Sequence, residues 1–120
     1  LAERLGADIE VDPAFRELPS PVGIVDRREW LSTFMQQDWA EQNPEILAWR
    51  DTIWSALFEL ESPTVVFTRF MVINAVVSRL RSAVETVCCV PDNGSITCLE
   101  LEGRALKLAE VGRQHQTLVN

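Results

Sequence analysis

The sequence predicts an all-α fold: a compact bundle of three main helices with an irregular N-terminal arm and a C-terminal helix or β-hairpin. Three observations lead there. Val66, Phe70, Ile73, Val77, Leu80, Val84 and Val87 recur alternately four and three residues apart, which keeps all seven on one stripe of an α-helix. Asp12-Pro13, Asn43-Pro44 and Ser62-Pro63 each place a capping residue before a proline. That order suits a helix start, where the N–H that proline lacks would have had no partner. Finally, 120 residues that are 47% apolar and 24% charged suffice for one core and are too few for two.

Residues 1–25 form the arm, in which Pro13, Pro19 and Pro21 leave room for one short helical turn, so that it wraps or wanders. Residues 26–120 form the helical domain, and arm and domain together make a single unit. Asp26 with Glu29 three residues later resembles a capping box and opens a first helix over residues 27–42. Its apolar face carries Trp30, Leu31, Phe34, Met35 and Trp39. A second helix over residues 44–61 presents Ile46, Leu47, Ile53, Trp54, Leu57, Phe58 and Leu60. The stripe belongs to a third over residues 63–88, whose first half should be the central element. Thr64, Val65, Val66, Val72, Ile73, Val76 and Val77 are β-branched and would suit a buried strand. The helical register nevertheless runs on through Leu80, Val84 and Val87, so helix is expected throughout.

Beyond the turn signal Pro91-Asp92-Asn93-Gly94 the pattern is double. Leu99, Leu101, Leu106 and Leu108 alternate with Glu100, Glu102 and Lys107 about Glu102-Gly103, as in a hairpin. Thr97 with Glu100, followed by Leu101, Ala105 and Leu108, suits a helix, which is taken as the first expectation.

Composition narrows the function. The net charge is −7, and residues 1–61 hold 13 acids against five arginines. An acidic half argues against a nucleic-acid backbone as partner. No apolar run approaches the roughly 20 residues a membrane span needs. The chain starts on Leu1 without the pattern of a signal peptide and is expected to be a piece of something longer. Three cysteines without framework spacing point to a reducing, cytoplasmic setting.

Candidate chemistry is sparse. Cys88, Cys89 and Cys98 with His115 lack zinc-ligand spacing, so no metal and no cofactor are expected. A disulfide from Cys88 or Cys89 to Cys98, or glycosylation at Asn93-Gly94-Ser95, would need an oxidising compartment. Glu59 with Glu61 and Asp38 with Glu41 read as solvated charge. With one histidine and no nucleophile, metal or phosphate motif, an enzyme is not expected.

The stripe residues Val66, Phe70, Ile73, Val77, Leu80, Val84 and Val87 are therefore the candidate interface of an assembly or adaptor module, a homo-oligomer or one docking on a larger protein. The alternative is a ligand-sensing bundle whose apolar pocket is lined by Trp30, Met35, Trp49 and Trp54, with Arg69 as anchor. Trp49 is expected to be the most exposed of the tryptophans, and Arg69 to pair with a carboxylate of the first two helices. Asn74 within the apolar stretch is expected to set helix register. The adjacent cysteines raise a third class, a thiol redox switch.

Overall fold

The computed structural model describes residues 9–112, built from helices α1 (Ile24–Phe34), α2 (Pro44–Phe58) and α3 (Phe70–Arg81) and an antiparallel hairpin of β1 (Cys98–Glu102) and β2 (Ala105–Glu110). The all-α expectation is thus corrected to a mixed α/β fold. Around the turn, alternation prevails over the helical pattern: Leu99 pairs with Leu108 and Leu101 with Leu106 on one face, while Glu100 meets Lys107 on the other. Gly103 has φ +61°, and a positive φ at the first of two turn residues is the type II′ pattern that fits hairpin twist. The same glycine inside a helix would cost about 1 kcal/mol. Leu99 and Leu106 pack against the helical core, and β2 runs beside α3.

Helix α3 is shorter than expected at both ends. Residues 63–69 are not helical, so Ser62-Pro63 starts nothing, and the helix opens at Arg69, whose carbonyl accepts from Val72 N (3.1 Å) and Ile73 N (3.2 Å). At the far end Ser82 turns left-handed (φ 55°), with Ser82 N–H on Arg79 O (3.4 Å) and Ala83 N–H on Ser78 O (2.8 Å). These are the two bonds of a Schellman ending, built here without its usual glycine. The register through Val84 and Val87 is therefore broken. What remains is nonetheless central: Met71, Val72 and Asn74 through Ser78 are all buried.

The first helix also differs. It begins at Ile24, so Asp26 lies in its first turn rather than at its cap, where its charge still complements the positive helix end. It stops at Phe34 instead of reaching Gln42, and a separate 3-10 turn follows at Trp39–Glu41. Between them the chain is clipped to the segment leaving α3: Trp39 N–H bonds Val84 O (2.9 Å), Thr86 N–H bonds Gln37 O (3.0 Å), and the buried Thr86 hydroxyl donates to Phe34 O (2.7 Å). Helix α2 starts as the sequence predicts, with Asn43 Oδ1 accepting from Ile46 N (3.0 Å) and Pro44 in the first turn.

The arm wraps. Asp12 caps a 3-10 turn at Pro13–Phe15 packed on α2, Leu18 is buried, and Trp49 Nε1 donates to Arg16 O (3.0 Å). One core joins Leu18 of the arm, Phe34 and Trp39, Ile46, Trp49, Ile53 and Leu57 of α2, and Met71, Val72, Ala75 and Val76 of α3.

A serine in the left-handed region carries a steric cost that glycine avoids. Ser82→Gly should raise the unfolding free energy by about 0.5–1 kcal/mol in urea titration, and no gain would mean that Ser82 is not strained there.

Candidate association edge and thiol corner

The seven stripe residues are divided by the fold. Phe70, Ile73, Val77 and Leu80 lie on α3, whereas Val66 precedes it and Val84 and Val87 follow it. Val77 is fully buried (0% exposed), and Phe70, Leu80 and Val87 pack on the core. Val66 and Ile73 are half-buried, and Val84 is exposed. No continuous helical seam remains, because the Schellman turn and the non-helical start take its two ends elsewhere.

The residues of the expected pocket are also spread over separate contacts. Trp30 stacks on Phe34 (centroids 5.4 Å apart), Trp54 meets Phe58 (5.5 Å) beneath the guanidinium of Arg79, and Met35 lies exposed just past α1. Trp49 is 5% exposed and holds the arm, contrary to the expectation that it would be the most exposed. Arg69 is exposed and forms no ion pair among the described residues; the Arg–carboxylate pair is Arg79 with Asp51 at 2.9 Å. The reason is that the chain at Arg69 lies outside the helix and its side chain falls on the outer face. A shallow hollow is lined by Asp12, Ala14, Asp51, Thr52, Ser55, Ala56 and Glu59, and by none of the five residues expected of a pocket.

A different surface emerges between α2 and α3. From Val65 to Phe70 exposure alternates residue by residue: Val65, Phe67 and Arg69 face solvent while Val66, Thr68 and Phe70 are half-buried. That alternation is the mark of an extended chain with one covered face. Thr68 Oγ1 fastens the covered face to Phe15 O (3.1 Å). No backbone-to-backbone hydrogen bond among the described residues involves residues 61–68. Val65 is 76% and Phe67 78% exposed, so two large apolar side chains flank an unpaired backbone. The β-branched residues were a legible signal, outweighed in the sequence by the longer helical register; the alternation itself shows only in the exposure.

The second feature is a thiol corner. Asn74, 0% exposed, donates from Nδ2 to Phe70 O (3.2 Å), and its Oδ1 accepts from the amides of Cys88 (2.8 Å) and Cys89 (3.0 Å). The Cys89 thiol, 3.6 Å from that oxygen, can turn its one proton to Asn74 or to the Cys88 sulfur. The hydrogen bond from Cys89 and the charge of Arg81 lower the Cys88 thiol to about 7, against burial and Glu85. Cys89 is pushed up by the same hydrogen bond, by burial and by the neighbouring thiolate. Arg50 lies over the Trp39 ring at 4.5 Å and reaches Ser78 Oγ (3.3 Å). Burial and the nearby Arg79 lower its pKa, opposed by Asp51 and Cys88.

All three cysteines are free, with Cys98 exposed on β1. Among the described residues no group of three or more His, Cys, Asp and Glu could hold a metal ion, and His115 lies outside them. No helix among the described residues is long and apolar enough to cross a membrane. No protein-family model, curated protein or solved structure matches the chain.

Trp49→Phe keeps the ring in the core and removes one hydrogen bond to the arm. It should cost about 1 kcal/mol and speed tryptic cleavage after Arg16; unchanged digestion would show that the arm is held by its packing alone.

Proposed function

We propose that this domain is a self-associating protein-interaction module and that residues 61–69 form its pairing edge. The reading replaces the helical stripe with an unpaired strand, and the observation that carries it is the solvent-facing Val65 and Phe67 on a backbone without ladder partners. Such an edge is a template for adding another strand.

The charges at its ends favour a second copy as the partner. In an antiparallel pair centred on Val65, Glu61 falls opposite the second copy's Arg69, and Pro63 opposite the second copy's Phe67, all on the outward face. The arrangement is self-complementary, as a two-fold interface requires, and places both ion pairs at positions where cross-strand partners attract. It also sets Pro63 at a position whose N–H is not needed, when these outward residues form the non-hydrogen-bonded pairs. An acidic chain with three unpaired cysteines supports a role in a reducing compartment, the cytosol, with protein rather than nucleic acid as partner.

Light scattering over a wide concentration range should show a reversible dimer. Glu61→Arg or Arg69→Glu alone should weaken it roughly tenfold, and the two reversals together should restore it. A monomer at every concentration overturns self-association, and a dimer indifferent to the charge reversals overturns this register. Phe67→Glu should dissociate the dimer while circular dichroism stays unchanged.

A further inference from the structure

The corner formed by Asn74, Cys88 and Cys89 takes no part in the pairing edge. It joins features that a merely structural cysteine pair does not need. Cys88 is half-buried and so open to small reagents, whereas Cys89 is buried at 3% exposure. Both amides are fixed on a side-chain oxygen that is itself completely buried. Arg81 stands two turns beyond Asn74 on the same face of α3, and Arg50 of α2 reaches Ser78 Oγ between them at 3.3 Å; both cations act on Cys88, and Glu85 of the segment leading to it opposes them. Two cations against one acid favour a thiolate and, by the same field, an anionic reagent approaching it.

We propose that Cys88 undergoes thiol–disulfide exchange with small anionic disulfides, that Arg81 favours the charged reagent, and that Asn74 keeps the product a mixed disulfide. In the step, the Cys88 thiolate attacks one sulfur of the disulfide RS–SR. A Cys88–SR bond forms, the RS–SR bond breaks, and its electron pair leaves with the second sulfur as RS⁻. Cys88 is oxidised and the leaving half of the reagent reduced. A thiol that ionises near ambient pH is close to the optimum for such attack, since thiolate population and intrinsic nucleophilicity oppose each other.

Cys89 is placed to attack next, and the geometry opposes it. Neighbouring Cα atoms stand about 3.8 Å apart, short of the roughly 4.4 Å at which ordinary disulfides begin. A bond between Cys88 and Cys89 would therefore distort the peptide that joins them, whose N–H Asn74 holds together with that of the peptide before it. Cys89 also keeps its proton, because burial raises its thiol and persists once Cys88 is capped.

The test treats the whole chain with dithiobis-nitrobenzoate, an anionic disulfide, and with uncharged dithiodipyridine, locating the adduct by peptide mass. Cys88 should react first, ahead of the exposed Cys98, with a rate rising through pH about 7 and then levelling. Compared on that plateau, where Cys88 is ionised with or without Arg81, Arg81→Gln should cut the anionic rate about two- to fivefold at low salt and leave the neutral rate nearly unchanged. Cys88→Ser should abolish the fast phase while Cys98→Ser retains it. With oxidised glutathione, intact mass should show a stable mixed disulfide. Faster reaction at Cys98, or an Arg81 variant that slows both reagents alike, overturns the assignment of Cys88 and its charge selection. A Cys88–Cys89 disulfide as the end product overturns the role of Asn74.

Discussion

Asn74 sits inside α3 with no exposed surface, and its side-chain oxygen accepts from the amides of two residues fourteen and fifteen positions further along. A buried amide without partners costs about 1–3 kcal/mol, so this group is stable only if the chain comes back to it. That return rules out a helix running to Cys88, because residues 88 and 89 have to lie beside the helix and not on its extension. The left-handed Ser82 supplies the reversal. The strand-like segment that follows then meets the chain leaving α1, where Trp39 bonds Val84 O and Thr86 bonds Gln37 O. One polar side chain in an apolar stretch thus organises the second half of the core.

Two arginines serve this core as packing surfaces. Arg50 lies flat over Trp39 and Arg79 over Trp54, each at 4.5 Å. Guanidinium groups can cover an aromatic ring with less loss of hydration than an ammonium would suffer. Arg50 thereby also brings positive charge toward Cys88 in an otherwise acidic chain. Neither Trp39 Nε1 nor Arg50 Nε has a hydrogen-bond partner among the described residues, which weights this contact toward stacking.

The segment between α2 and α3 solves a different problem. It links the end of α2 to the start of α3 and is fastened to Phe15 of the arm through Thr68. Its inner side chains are spent on the arm and the core. Its outer ones, Val65 and Phe67, have nothing to cover them, and the backbone between them is free to pair. The proposed association surface is therefore a by-product of how the arm is held, and the hairpin at the other end of the chain escapes the same fate by laying Leu99 and Leu106 on the helices.

Local chemistry was legible in the residues themselves. Asn43-Pro44 opened α2 where expected, Asp12-Pro13 made its short turn, Gly94 turns at φ +76°, and the burial of Met71, Val72 and Ala75 through Val77 follows from their apolarity. Asn74 and the paired cysteines could each be noticed, but their bond could not, since nothing local joins positions fourteen apart. The ends of α3 were decided by tertiary contacts: Ser82 has no intrinsic preference for the left-handed turn, and residues 63–69 are held extended by Thr68 on Phe15. The C-terminal pattern suited both helix and hairpin, and its burial against α3 chose the form that puts its leucines on one face. Sequence alone determined which residues seek burial and where α2 begins; only the folded chain, through contacts distant in sequence, determined where α3 begins, where the helices end and which apolar residues stay outside.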